Sequence, residues 1–94
     1  MSHHLYILYS PSLDKFYVGE TAFLDERLEQ HKSGFFKTSY TRQATDWSLY
    51  LSKELPNRKV ARRLEQFIKR MKSSKFIKRL KEEEGLLDKI IFKS

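Results

Sequence analysis

The chain has 94 residues, a third of them charged, with a formal net charge of +7 and no cysteine. Disulfides and thiolate metal sites are therefore excluded, and a reducing, cytoplasmic setting is expected. No apolar run nears the length of about 20 residues that crosses a bilayer, so no membrane partner is expected either.

A chain this short buries roughly 60–65% of its unfolded surface, enough for one modest core. One domain is expected over residues 1–94, with its core at about 4–82 and an apolar tail at 85–94. Leu5 to Tyr9 and Phe16 to Glu20 are β-rich runs around the turn-forming segment Ser10–Lys15, which predicts a hairpin. A turn centred between Ser12 and Leu13 sets Tyr6 opposite Gly19 and Leu8 opposite Tyr17. Both tyrosines then share a face with Gly19, whose missing side chain leaves open space above the sheet.

A helix is predicted from about Phe23 to Ser33, with Leu24 and Leu28 on its buried side, Thr21 as N-cap and Gly34 as stop. Arg27 and His31, four residues apart, share a face of it. Phe35 to Asp46 reads as a polar loop carrying Lys37, Thr38, Tyr40 and Arg42. Trp47, Leu49 and Leu51 alternate with Ser48, Tyr50 and Ser52, as in a third strand with one wet face. After Pro56 and Asn57 a helix is expected over 58–72 with the stripe Val60, Leu64, Phe67, Ile68 and Met71. A further helix follows over 75–84, ending at Gly85. The apolar tail, Leu86 to Phe92, has two destinations: the chain's own core, or a second copy in a homodimer. The expected class is α+β, a three-stranded antiparallel sheet flanked by helices in the order β-β-α-β-α-α.

Charge is unevenly placed. Between Lys53 and Lys81 twelve Lys and Arg face two acids, Glu54 and Glu65, a balance of +10 that exceeds that of the whole chain. Such an excess favours polyanions, because each neutralised phosphate releases counterions. It also suits a solvated helix face. His3 and His4 are assigned no function.

Five side chains combine into a chemical pattern: Tyr6, Tyr17, Arg27, His31 and Glu65. Taken singly, each has an ordinary explanation. Two sheet tyrosines commonly pack across strands, Arg27 has Glu20, Asp25 and Glu26 for partners, His31 suits a helix end, and Glu65 suits a surface pair with Lys69 or Arg62. On periodicity alone those explanations are the commoner ones for the tyrosines, His31 and Glu65. By residue type the five also suit phosphodiester hydrolysis, the reaction implied by the family that the chain resembles. Glu65 is a carboxylate for a hard cation, and Arg27 a planar fork for the scissile phosphate. His31 is a phosphate donor or proton shuttle. A phenol, with its ordinary pKa near 10, becomes a base only beside cations.

The segments Leu5-Tyr6-Ile7-Leu8, Phe16-Tyr17-Val18-Gly19, Arg27-Leu28-Glu29-Gln30-His31 and Ala61-Arg62-Arg63-Leu64-Glu65 stand in an order and spacing that resembles the GIY-YIG nuclease family. The match is to its small single-domain branch, near the stand-alone homologues of the bacterial UvrC N-terminal domain. The resemblance runs from about Leu5 to Lys72, with Leu5-Tyr6-Ile7 standing where the family's name-giving Gly-Ile-Tyr falls. It implies a divalent-metal-dependent endonuclease that binds Mg2+ or Mn2+ through Glu65 and clamps phosphate with Arg27. It also implies Tyr17 as the usual base with Tyr6 assisting, although which of the two acts here is left open, as is the role of His31. DNA is the implied partner, with RNA as the other nucleic acid to consider, and Lys37, Thr38, Arg42 and Lys69 are candidate phosphate contacts. Structure-selective cleavage in DNA repair or recombination is the implied setting. The chief competing reading is a nucleic-acid-binding module without catalysis.

Overall fold

A computed structural model describes residues 3–32, 46–83 and 85–93, with side chains for 3–29, 46–83 and 85–91. Its elements are β1 (His3–Ser10), β2 (Lys15–Thr21), α1 (Leu24–Lys32), β3 (Ser48–Leu55), α2 (Arg58–Met71), α3 (Ser74–Glu82) and α4 (Leu86–Lys93). The three strands form an antiparallel sheet in the order β2-β1-β3. The α+β architecture is as expected from sequence, with one helix more, because the tail is helical.

The hairpin has the predicted register, Tyr6 opposite Gly19 and Leu8 opposite Tyr17. Its turn is closed by Asp14 in the left-handed region at φ 49°, a conformation that aspartate tolerates better than most residues. Asp46, just before β3, ties the turn down. Ser10 Oγ donates to its Oδ1 at 2.6 Å, and the Ser12 amide donates to its Oδ2 at 2.9 Å.

The period-two pattern of β1 divides the molecule into two layers. Leu5 and Ile7, with Val18 of β2, face α2, α3 and α4 in a core that includes Ala61, Leu64, Ile68, Ile77 and Leu80. Tyr6 and Leu8 point the other way, into a smaller cluster with Trp47, against which Leu13, Tyr17, Leu24 and Leu28 pack. That second face is the one α1 covers.

The expected alternation in the third strand does not hold. Ile7 pairs with Leu51 but Leu8 pairs with Leu49, so Tyr50 is the extra residue of a bulge. A bulge reverses the side-chain phase. Leu51 and Tyr50 therefore pack on the large core, while Trp47 belongs to the smaller one and precedes the strand.

Two helix details also differ from expectation. Thr21 is still paired with His4 in the sheet and accepts a hydrogen bond from the Phe23 amide, so it forms a turn ahead of α1 instead of capping it. In α2 the buried arc is Ala61, Leu64 and Ile68, with Val60 packed beside it. Phe67 and Met71 fall at its margin and stay 40% and 46% exposed, and Phe67 meets Phe76 of α3 edge-on at 6.0 Å. Asn57 caps α2 by accepting from the Val60 amide at 3.0 Å, and Ser73 caps α3 by accepting from Phe76 at 3.1 Å. Caps of this kind stabilise by about 1 kcal/mol.

Gly85, at φ +87°, turns the chain from α3 into α4. There Leu87 is buried, and Leu86, Ile90 and Ile91 pack on the large core. The described part of the tail thus packs on the chain's own core. Among the described residues no helix is long and apolar enough to cross a membrane.

Candidate active site

The site forms where the hairpin, α1 and one flank of α2 meet. β1 carries Tyr6 at its centre, 1% exposed. The ring leans sideways across β2 at Gly19: a β carbon built there would lie 2.6 Å from both Cζ and Oη of Tyr6. The space expected above Gly19 is thus filled by the tyrosine itself. Gly19 is a seat for that ring, and it brings the hydroxyl from the central strand to the edge strand.

Tyr17, two residues before Gly19, lies on the same face, its ring centroid 6.3 Å from that of Tyr6 and 6.5 Å from that of Trp47. Trp47 is 2% exposed, so Tyr17 has a fixed wall behind it while its other side remains half-open. This backing by Trp47 was missed in sequence reasoning, which assigned the tryptophan to a strand only.

Glu65 stands outside the buried arc of α2. Lys69, one turn further on, donates to Glu65 Oε1 at 3.1 Å, and its Nζ lies 6.0 Å from the Tyr17 ring centroid. This flank of α2 therefore reaches round the β2 edge to the tyrosine face. The ordinary helical pair expected for Glu65 exists, and it exists beside the tyrosines.

Electrostatics link the remaining groups. Burial is the main cause that pushes the Tyr6 hydroxyl well above the ordinary phenol range, followed by Tyr17. Arg27 of α1 pulls it down, and Glu65 and Glu20 push it up. Charges from three elements thus bear on one hydroxyl. Glu20 was not singled out in the sequence; it lies next to Gly19, contacts His3, and has Arg58 of α2 at 3.8 Å. Its adjacency to Gly19 was the available signal.

Tyr6, Tyr17, Glu65 and Lys69 are accordingly gathered on the tyrosine face along the β2 edge, with the charge of Arg27 acting on the Tyr6 hydroxyl. His31 lies one turn after Arg27 on α1, with its side chain outside the described residues. Lys37, Thr38 and Arg42 also lie outside them. Among the described residues no group of three or more His, Cys, Asp or Glu is assembled. Lys69 engages one carboxylate oxygen of Glu65. A hard cation that keeps most of its waters and shares substrate phosphate fits such a single carboxylate.

The two tyrosines, the arginine and the helical carboxylate expected from the sequence thus all lie among the described residues, and comparison with known proteins gives the family. The model of the GIY-YIG catalytic domain matches residues 2–81, and the chain belongs to that nuclease family. Among solved structures, it is similar to the solution NMR structure of the UPF0213 protein BH0048 from Bacillus halodurans. The two share 29% identity with a TM-score of 0.56, over 92% of this chain and 88% of that one. No curated protein matches the chain.

Proposed function

We propose that the protein is a divalent-metal-dependent endonuclease that hydrolyses DNA phosphodiester bonds, with Mg2+ or Mn2+ as its cation. The Tyr6 hydroxyl, seated against Gly19 beside Tyr17 and within the fields of Arg27 and Glu65, carries this reading. Glu65 would hold the cation, which when bound would supply positive charge for the developing phosphorane and the leaving oxygen. Arg27 grips two phosphate oxygens at once and stays charged throughout.

The tyrosines divide the remaining work by burial. Tyr6 stays protonated at neutral pH, so it donates a hydrogen bond, orienting the attacking water or a phosphate oxygen. Tyr17 has an open side and stands near Lys69, so it takes the proton of the water. His31, one turn after Arg27 on α1, serves in this reading as a phosphate donor or proton shuttle. Lys37, Thr38, Arg42 and Lys69 contact flanking phosphates, and selection of branched, flapped or nicked DNA in repair or recombination is the corresponding setting.

The test is nicking of supercoiled plasmid with Mg2+ or Mn2+ by wild type, Glu65→Ala and Arg27→Ala. Nicking lost in both variants, with folding intact, supports the reading; wild-type rates in Glu65→Ala would refute it.

One observation favours the second reading, a nucleic-acid-binding module without turnover. Arg58, Lys59, Arg62 and Arg63 form an exposed basic face on α2, a footprint that needs no chemistry to hold a phosphate backbone. Salt-sensitive binding without cleavage of plasmid, branched or single-stranded DNA would select it.

A further inference from the structure

Beyond Lys69, away from Glu65, a groove of about 680 Å³ opens between β2 and the junction of α2 with α3. Its size is that of a small-ligand cleft, roughly 300–1,000 Å³. Phe16, Val18, Ile68 and Ile77 give it an apolar floor, and Lys15, Lys69 and Lys72 contribute cationic rim groups. Asp14, also on the lining, accepts a hydrogen bond from the Tyr9 hydroxyl at 2.7 Å. Among the described residues neither Lys15 nor Lys72 is paired with a carboxylate.

Phe16 is held firmly. Its ring centroid lies 4.9 Å from that of Tyr9 and 5.0 Å from that of Tyr50, the second contact edge-on. The bulge at Tyr50 puts this residue on the same face as Phe16. A fixed aromatic wall beside apolar surface suits the face of a base, and a lysine rim suits the phosphates on either side of it. The groove also runs directly into the candidate active site, because Tyr17 and Lys69 belong to both.

We infer that this groove receives one unpaired nucleotide of the substrate strand, its base against Phe16 and its flanking phosphates on Lys15 and Lys72, next to the bond to be cut. A base still stacked in a duplex cannot enter, so the substrate class is DNA with an unpaired stretch, such as a flap or single-stranded end. The inference builds on the nuclease reading for its purpose, but binding to the groove is measurable without cleavage.

The experiment uses metal-free Glu65→Gln protein and reads backbone amide shifts by NMR while a short oligothymidylate, inorganic phosphate or a blunt duplex is titrated in. The expected result is oligothymidylate shifts clustered at 15–18 and 72–74. The double variant Lys15→Gln with Lys72→Gly should bind the oligonucleotide about tenfold more weakly. Its salt slope should fall by about 1.4, twice the roughly 0.7 contributed by each phosphate on a single strand. Lys72 sits at φ 48°, where glycine is relaxed, so this variant keeps its fold.

Shifts confined to the Arg58–Arg63 face would overturn the inference. So would equal groove shifts from inorganic phosphate alone, since the apolar floor would then contribute nothing, or from the blunt duplex. Failure of the nuclease reading looks different: groove shifts appear as expected, yet wild type with Mg2+ cuts neither paired nor unpaired DNA.

Discussion

Tyr6 lies across Gly19 so closely that a β carbon at Gly19 would stand 2.6 Å from its Cζ and its Oη. The strand needs no left-handed backbone there; the glycine is required by the ring above it. Because Tyr6 is 1% exposed and packed with Leu8 and Trp47, its ring has nowhere to retreat.

Gly19→Ala is therefore expected to destabilise the protein by about 1–3 kcal/mol through overpacking. It should also reduce nicking, since the Tyr6 hydroxyl is displaced. Urea unfolding and a nicking assay on the same preparation check both. A variant with wild-type stability and activity would show that the ring moves freely.

Glu65 is expected to behave in the opposite way. Its link to Lys69 is a surface helical pair worth a few tenths of a kcal/mol. Glu65→Gln should thus leave unfolding almost unchanged while plasmid nicking falls at least about a hundredfold. Loss of stability in step with activity would mark Glu65 as structural.

The Tyr6 hydroxyl sets an alkaline limit to stability. Burial raises its folded pKa above the ordinary 10.0, so the folded state keeps a proton that the unfolded chain releases. The resulting stabilisation is complete below pH 10 and is lost progressively as pH rises beyond it. Unfolding free energy measured from pH 8 upward should decline above pH 10, and less steeply in Tyr6→Phe. Identical slopes in the two proteins would exclude Tyr6 as the cause.

At the acid end, hydrogen bonds from Ser10 and Ser12 hold the Asp46 carboxyl below its ordinary 3.8. A depressed carboxyl stabilises the fold above that value and ceases to do so as pH falls through its folded pKa. Asp46→Ala should lower the melting temperature at pH 7, and the difference from wild type should shrink toward pH 2. Thermal melts at the two pH values check this.

The C-terminal helix should be needed for stability. Leu87 is 8% exposed in the large core, and Leu87→Ala is expected to cost about 2–3 kcal/mol. Chemical denaturation gives the value directly.

Much of this molecule follows from local pattern. The β-rich runs around Ser10–Lys15 fixed the hairpin register, and hence that Tyr6, Tyr17 and Gly19 share a face, because a pleated strand has a strict period of two. The tyrosines, Arg27 and Glu65 stand out as a candidate set by their order and spacing, through the resemblance to the family that the chain belongs to.

Only the tertiary structure decided how these parts meet. The bulge at Tyr50 inverts half of β3, and no local signal marks it, because it arises from pairing with β1. Phe67 and Met71 matched the helical period as well as Ile68 did, yet the placement of α2 on the sheet leaves them outside. The same placement carries Glu65 round the β2 edge toward the tyrosines. Periodicity states which residues share a face of one element; which face finds which partner depends on packing among elements distant in sequence. Packing laid the Tyr6 ring down onto the glycine that the register sets opposite it.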